Sequence, residues 1–534
     1  MTSIHSVAGV NLLVRRDSRA QQQHVGSSLC RRLIGGLVCL IGIVSPVGTH
    51  ADVKLPAIFS DHMVLQRDAS VPVWGWAEPD EQITVSVADQ KAATKADQDG
   101  KWLVKFSRLQ TSEPTTLTVQ GRNTITIRDV LIGEVWLGSG QSNMAMTVNR
   151  ARDYEQERVA ANLPQIRMFR EESGAADTPQ SEGKGRWQVC SPETVGSFSA
   201  TLFFFGREIH KNLGVPVGLI NSSVGGTPIE LWIAPETQRS APELQPFFAA
   251  LEKENASVDP ETERKAFERS LARWQEAAKQ ARAAKQQPPR KPQDPAAVRA
   301  RKGNVGGLYL GKIAPLIPYA IRGAIWYQGE ANTAPSRVGF YQYQLPLLVR
   351  DWRARWGYEF PFAWAQLPNF SGTGRDWPML REAMLKSLAL PQTGMGINID
   401  IGEANDIHPK NKQEVGRRLS LWVLGSVYGR EVPATSGPLP AGHEIRGREI
   451  VIRFRHTEGG LVAQGGTVQG FVVAGQDRQW KLAQARIAGD SVVVSSPEVP
   501  QPVAARYAWE NLPTCNLFNG AGLPATPFRT DDWP

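Results

Sequence analysis

Apolar and polar positions follow two different rhythms along this chain. From residue 52 to about 130, and again from about 433 onward, they alternate in short segments bounded by Asp, Gly or Pro, which is typical of half-buried β-strands. We therefore expect a small sandwich-like β region on each side of the middle of the chain. The predicted strands of these two regions are Ser70–Trp76, Gln82–Val87, Trp102–Phe106, Thr115–Val119, Glu449–Phe454, Phe471–Ala474 and Ser491–Ser495.

The middle region, 131–432, has a different pattern and predicts an α/β domain. Its apolar segments are nearly continuous, as in strands of a parallel sheet that helices cover on both faces. The predicted strands are Glu134–Leu137, Val217–Asn221, Gly323–Tyr327, Phe362–Gln366 and Met395–Ile401. The predicted helices include Phe203–Leu213 and Lys412–Tyr428, where apolar residues recur at helical spacing.

The first 51 residues have the pattern of a secretory signal. Arg31 and Arg32 precede an apolar run, 33–47, whose length of about 15 residues is below the roughly 20 that a membrane-spanning helix needs. Thr49 and Ala51 provide small residues before a predicted cleavage site at Asp52. We expect export to the periplasm or the medium, with no stable membrane insertion after signal removal.

Composition narrows the function classes. The 534 residues carry a net charge of +8, but part of it lies in the N-terminus and in a helical and basic insert at about 237–302, so nucleic acid is not an expected partner. Cys190 and Cys515 remain after signal removal and could pair or stay free. The sequence has no Cys-x-x-Cys, His-Glu-x-x-His or phosphate-loop motif, so structural zinc and nucleotide hydrolysis are not expected.

Ser142 lies in the segment with the clearest chemical signal. The apolar run Val135–Leu137 ends in a turn of small residues that places Ser142 where a helix can start. Exposed backbone N–H groups there can stabilise the negative charge that develops on a carbonyl under nucleophilic attack. A buried turn serine would give the same local pattern, so the interpretation depends on the rest of the chain.

A serine nucleophile requires a base, and few residues can supply it. The histidines after the signal are His62, His210, His408, His443 and His456. Only His408 closely follows a predicted strand of the α/β region. Asp406, two residues earlier, could orient the imidazole and stabilise its charged form. The predicted catalytic residues are therefore Ser142, His408 and Asp406.

Several polar segments follow different strands of the predicted sheet. The carboxyl ends of parallel strands meet at one edge, where ligands bind in open sheets of this kind. This edge is expected to hold Ser142, Gly225, Gly226, Gln328, Glu330, Asp406 and His408. The backbone N–H of Ser142, that of Gly225 or Gly226, and the amide of Gln328 could bind an oxyanion.

Three tryptophans lie near the same strand ends and have two interpretations. Trp136, Trp232 and Trp326 could belong to the core, or they could line a sugar-binding cleft. We retain them as candidate substrate-binding residues.

At these positions the sequence resembles the sialate O-acetylesterase family, a branch of the SGNH-type (GDSL-like) esterases. The matching segments are Gly140–Met144, Gly225–Trp232, Trp326–Asn332 and Asp406–Lys412. They occur in the family's order and span the α/β region. The resemblance extends less sharply through Phe59–Gln66 and Cys515–Asn519.

The resemblance implies an SGNH-type, flavodoxin-like sheet and a serine esterase that removes O-acetyl groups from sugars through an acetyl-enzyme. This implied reaction requires no metal or organic cofactor. It implies Ser142 as nucleophile and His408 as base. The family usually places an Asp three residues before the His, whereas Asp406 is two residues before it. Asp400 and Glu330 therefore remain alternatives for the acid, and a backbone carbonyl that partly holds His408 is a further alternative.

The resemblance leaves the substrate open. Recognition of sialate requires a cation for its carboxylate, which Arg322, Arg337 or Arg381 could supply. One alternative is an esterase of the same fold that acts on acetylated plant polysaccharides of the xylan or xyloglucan type. Another is a noncatalytic carbohydrate-binding protein, which would be expected to lack the serine or the histidine.

Overall fold

Strand-rich regions at both ends flank an α/β middle region, in the order that the hydrophobic pattern predicts. The computed structural model describes residues 52–110, 113–256, 259–289, 291–302 and 304–533. The predicted signal segment, 1–51, lies outside the described residues. Within the described ranges, no helix is both long enough and apolar enough to cross a bilayer.

The strands and helices have the following bounds. The strands up to the end of the middle region are β1 Val64–Gln66, β2 Ser70–Trp76, β3 Gln82–Val87, β4 Gln90–Lys95, β5 Lys101–Ser107, β6 Thr115–Gln120, β7 Thr124–Gly140, β8 Leu163–Glu171, β9 Gly185–Cys190, β10 Val217–Ser223, β11 Gly323–Tyr327, β12 Phe362–Ala365 and β13 Thr393–Gly396. The C-terminal strands are β14 Leu439–Arg446, β15 Glu449–Arg455, β16 Leu461–Ala463, β17 Phe471–Ala474, β18 Lys481–Leu482, β19 Gln484–Ala488, β20 Ser491–Ser495, β21 Ala504–Tyr507, β22 Leu517–Asn519 and β23 Phe528–Arg529. The helices are α1 Ser142–Ala145, α2 Tyr154–Val159, α3 Ala200–Leu213, α4 Pro235–Arg239, α5 Gln245–Ala256, α6 Pro260–Ala283, α7 Pro295–Lys302, α8 Pro335–Val338, α9 Tyr341–Trp356, α10 Trp377–Ser387 and α11 Lys412–Trp422.

The central sheet has the strand order β9-β8-β10-β7-β11-β12-β13. All neighbours are parallel except β8 and β9, which pair antiparallel. The predicted α/β class with a parallel sheet is confirmed, and each of the five predicted core strands overlaps an observed one. β13 ends at Gly396, before the predicted end at Ile401. β8 and β9 were not predicted, because Arg167 and Arg170 interrupt the apolar run of β8.

β7 joins the N-terminal β region to the central sheet. Its first part pairs antiparallel with β6, its middle pairs parallel with β1, and Glu134–Gly140 pairs parallel with β10. The strand therefore crosses the predicted domain boundary at 130/131 without a break. One hydrophobic cluster runs from Val53 in the N-terminal region to Leu439 beyond the α/β region. The N-terminal strands thus help to hold the strand that leads to Ser142.

Two helices pack next to the site and follow their sequence signals closely. α3 begins after Ser199, whose hydroxyl accepts the N–H of Leu202, and ends at Gly214 with φ 67°. α11 begins after Asn411, whose side chain accepts the N–H of Glu414. The predicted helix to Tyr428 changes after Trp422 to a wider π-type turn, Val423–Val427.

The predicted helical insert, about 237–302, contains α5, α6 and α7. Asp259 caps α6 by accepting the N–H groups of Glu261 and Thr262. The C-terminal strands have a hydrophobic cluster of their own, and Arg529 ties them to α10 through an ion pair with Glu382 at 2.9 Å. The two cysteines that the sequence left open, Cys190 and Cys515, are free thiols.

The last residue of β7 gives a stability prediction. Gly140 has φ 134°, and a Cβ there would lie 2.1 Å from the Tyr327 carbonyl oxygen in β11. Gly140→Ala should therefore lower the midpoint of urea unfolding far more than Gly214→Ala. Gly214 also has positive φ, at 67°, but no atom lies within 4 Å of its Cβ position. Gly214→Ala should therefore lower the free energy of unfolding by only about 1–2 kcal/mol. An equal decrease of the unfolding midpoint in the two variants would contradict the tight contact between β7 and β11.

Candidate active site

Three strand ends converge at Ser142. The N–H of Gln141 donates to the Tyr327 carbonyl at the end of β11 at 3.0 Å. The N–H of Val224, just after β10, donates to the Gly140 carbonyl at 3.1 Å. These two bonds hold the turn before Ser142 between its neighbouring strands, as the shared sheet edge predicts.

The imidazole of His408 lies against the serine. His408 Nε2 is 2.8 Å from Ser142 Oγ, within the range for proton transfer between a nucleophile and a base. His408 is on the loop between β13 and α11, and 24% of its side chain is exposed. The structure therefore brings together the two residues that the sequence analysis paired, and their catalytic roles stay a prediction.

Of the three candidate acids, Asp406 lies beside the imidazole. Its Oδ1 is 3.5 Å from His408 Nδ1 and accepts the backbone N–H of His408 at 2.9 Å. The Asp406 side chain is 45% exposed. A contact of this length in partly solvated surroundings stabilises a charged imidazole less than a buried triad carboxylate does.

The other two candidate acids are engaged elsewhere. Asp400 forms a two-pronged ion pair with Arg418, with distances of 2.6 and 2.8 Å. Glu330 is buried, and its Oε1 accepts the Asn143 amide at 2.5 Å. Both carboxylates therefore stabilise segments that carry the site, which argues against their use as the triad acid.

Gly225 lies directly against the serine. A Cβ at Gly225 would lie 3.5 Å from the Ser142 Cβ, so the two residues are in contact. Within the described ranges, the N–H groups of Ser142 and Gly225 have no protein acceptor. Because α1 is only four residues long, local N–H groups rather than a helix dipole would stabilise an oxyanion. Gly226, with φ 70°, completes the turn.

The predicted role of Gln328 as an oxyanion donor is wrong. Its side chain is fully buried, and its Nε2 lies 2.7 Å from Asn332 Oδ1, 3.1 Å from the Thr227 carbonyl and 3.2 Å from Gln141 Oε1. The amide protons are therefore used inside the protein. Gln328 instead links the turn that follows Gly226 to the residue before Ser142.

Asn143 is the main element of the site that sequence reasoning did not assign. Its Nδ2 donates to Glu330 and, at 3.0 Å, to the carbonyl of Ile407, the residue before the base. Its Oδ1 accepts Lys412 Nζ at 2.5 Å. Asn143 thus links the serine turn to both ends of the histidine loop. Its position next to Ser142 was visible in the sequence, but its partners were not.

Lys412 and Glu330 are a buried cation and a buried carboxyl on either side of the Asn143 amide. Burial lowers the pKa of the Lys412 ammonium to about 7. Burial also raises the pKa of the Glu330 carboxyl. Lys412 Nζ lies 5.1 Å from the centre of the Tyr327 ring, whose face favours a cation. Burying a cation and a carboxyl costs free energy, so we expect Lys412, Asn143 and Glu330 to fix the geometry of the site rather than to stabilise the fold.

The three tryptophans that were candidates for a sugar cleft belong to the core. Trp136, Trp232 and Trp326 each have 0% exposure. Their indole N–H groups donate to Tyr428, Thr227 and Tyr341, respectively. The substrate-binding prediction for them is wrong, because apolar strands buried on both faces place large side chains in the interior.

The candidate cations for a sialate carboxylate are also engaged within the protein. Arg381 is fully buried, and its guanidinium donates to four backbone carbonyls, so its predicted substrate role is wrong as well. Arg322 pairs with Glu134 at 2.8 Å. Arg337 pairs with Glu230 at 2.5 Å. In the described part of the chain, no group of three His, Cys, Asp or Glu residues is arranged to hold a metal ion.

Comparisons with known proteins find carbohydrate acetylesterases and sialate O-acetylesterases. The chain is 35% identical to a carbohydrate acetylesterase from Xanthomonas citri, whose crystal structure superposes with a TM-score of 0.77 over 90% of this chain and 100% of that one. It is 26% identical to the sialate O-acetylesterases of Rattus norvegicus and Homo sapiens over 92% of its length, which is 97% and 96% of theirs. No family model matches the chain.

The fold and the serine–histidine pair define an esterase of the carbohydrate esterase class. Within that class, the chain belongs to the sialate O-acetylesterase family, as the four matching segments predicted.

The position of Asp406 gives a prediction for turnover. Asp406→Asn keeps an oxygen for the His408 N–H but removes the charge, so we expect kcat to fall by less than the ~10⁴-fold seen for a buried triad acid. Glu403→Gln, on the same loop, is a matched control, because the Glu403 side chain is 38% exposed and contacts Lys410. An Asp406→Asn enzyme with unchanged kcat would exclude Asp406 from catalysis.

The link through Asn143 gives a second prediction. Lys412→Met leaves Asn143 Oδ1 without its buried donor and loosens the tie to the histidine loop. We expect kcat to fall on the order of 10²-fold, with KM for a small aryl acetate nearly unchanged. Lys410→Met serves as a control, because Lys410 is exposed and its Nζ lies 3.6 Å from Glu403. Equal kinetics in the two variants would show that the link does not position the base.

Proposed function

We propose that the protein removes O-acetyl groups from sugars by acyl transfer through an acetyl-enzyme on Ser142. The observation that carries this proposal is the 2.8 Å separation of His408 Nε2 and Ser142 Oγ at the edge of the sheet. Membership in the sialate O-acetylesterase family supports the choice of a carbohydrate ester.

In the first step Ser142 Oγ attacks the acetyl carbonyl carbon while His408 Nε2 takes the hydroxyl proton. The oxyanion is stabilised by the N–H groups of Ser142 and Gly225. When the tetrahedral intermediate collapses, the C–O bond to the sugar breaks and His408 returns its proton to the sugar oxygen. Asp406 supports the charged imidazole between the two transfers.

In the second step a water molecule replaces the sugar. His408 takes one water proton as the oxygen attacks the acetyl-enzyme, and the same donors hold the second oxyanion. Collapse of that intermediate releases acetate and returns a proton to Ser142 Oγ.

Two substrate classes are compatible with this chemistry. The relatives named sialate O-acetylesterase support an acetylated sialic acid. A neutral acetylated saccharide is the second candidate, because Arg322, Arg337 and Arg381 all bind groups of the protein and so offer no free cation to a sialate carboxylate. We further propose, from the signal pattern before Asp52, that the enzyme acts after export.

Acetate release tests both the reaction and the substrate class. Ser142→Ala and His408→Ala should remain folded, and Ser142→Ala should lower kcat on the order of 10⁶-fold. His443→Ala is the matched control, because His443 is exposed on β14, outside the site. Wild-type turnover in Ser142→Ala would overturn the proposal.

The same assay compares 9-O-acetylated sialic acid with acetylated xylan and xyloglucan fragments. Release from the sialate alone would support the first class and exclude the neutral saccharide. Release from neutral fragments alone would exclude the sialate.

A further inference from the structure

The outward face of the strand pair β2–β5 carries large apolar side chains. Trp74 lies opposite Leu103, and Trp76 lies opposite Lys101 in the register of the two strands. Burial alternates along β2, so Val71 and Val73 are fully buried on the inner face, whereas Trp74 and Trp76 are only half-buried. Leu103 is 41% exposed.

A groove of about 340 Å³ lies between this face and the segment that contains Ile317 and Pro318. We call it the junction groove, and its apolar wall is formed by Trp74, Trp76, Leu103, Ile317 and Pro318. Its volume falls within the range of sites that bind small ligands, about 300–1,000 Å³. None of its lining residues belongs to the turns of Ser142 and Gly225 or to the loop of His408.

The two tryptophans differ in what they contact. The Trp74 ring packs edge-on against Phe59, with ring centres 4.7 Å apart, and is held in place by the core. Among the described residues, no aromatic ring or cation stacks on Trp76. The groove therefore has one fixed wall and one indole whose face lacks an aromatic or cationic partner.

Charged side chains surround this apolar wall. Lys95 and Lys101 line the groove, and they contact Asp80 at 2.8 Å and Asp99 at 3.6 Å. Asp97, also on the rim, accepts the N–H groups of Asp99 and Lys101. Hydrogen-bonding groups at the edge and aromatic surface inside match a pyranose ring, which has C–H faces and a border of hydroxyl groups.

We propose that the junction groove is a noncatalytic carbohydrate-binding site that holds a neutral pyranose chain by stacking on Trp76. The inference rests on the proposed function in one respect, that the substrate is part of a saccharide chain. The groove then anchors the chain while the separate site at Ser142 removes its acetyl groups. Its loss should raise KM for a polymer and leave hydrolysis of a small aryl acetate unchanged.

Affinity electrophoresis of the full mature protein tests this site directly. The gels contain deacetylated xylan or deacetylated xyloglucan, so retardation does not depend on turnover. The wild type should be retarded by at least one polymer, and Trp76→Ala should weaken this binding about tenfold or more, since burying an aromatic side chain contributes at least that factor. Leu482→Ala, which removes an 83% exposed apolar side chain elsewhere, should bind as the wild type does.

Leu103→Ser is a second variant in case Trp76→Ala fails to fold, and it should weaken binding in the same direction. Failure of the wild type to bind either polymer, or wild-type binding by the folded groove variants, would overturn the proposal. Acetate release by Ser142→Ala bears only on the proposed function, so the two ideas can fail separately. Trp76→Ala, Leu103→Ser and Leu482→Ala should each hydrolyse 4-nitrophenyl acetate at the wild-type rate.

Discussion

The buried side chain of Asn143 is the contact on which the site depends. Ser142 and His408 lie far apart in the sequence, and the loop of His408 has little regular structure of its own. Asn143 donates to the Ile407 carbonyl and accepts from Lys412, so the residues that flank the base are held to the residue that follows the serine. Other bonds also hold the histidine loop, such as that from the Arg152 N–H to the Lys410 carbonyl at 2.8 Å, but the link through Asn143 ties it directly to the serine turn.

The buried network around Asn143 is expensive to form. Lys412 and Glu330 are both fully removed from water, and their pKa values shift in the directions that disfavour charge. Replacing such groups by apolar residues often leaves stability unchanged or improves it. The network instead fixes the position of the serine turn relative to the histidine loop, because hydrogen bonds have defined directions and apolar packing alone does not.

The parallel sheet could be predicted from sequence because its signal is local. The apolar runs that became β7, β10, β11 and β12 are buried on both faces, so nearly every residue in them is apolar. β8 escaped prediction, since Arg167 turns back to the Asp129 carbonyl at 2.8 Å, a partner 38 residues away. The length of β7 was missed because its pattern changes from partly exposed at Thr124–Asp129 to fully buried from Val130, although the strand continues without a break.

The candidate site, like the sheet, was predictable from the sequence only in part. The sequence by itself singled out the residues that we propose for the chemistry: a serine after a strand, one histidine near another strand end, and a glycine pair between them, because residue type and position along a parallel strand fix which edge they reach. Only the tertiary structure decided what those residues touch. It placed Gln328, Arg381 and the three tryptophans in the interior and Asp406, rather than Asp400 or Glu330, beside the imidazole. Hydrogen-bond partners and burial depend on chain segments brought together across more than 100 residues, and no local pattern records them.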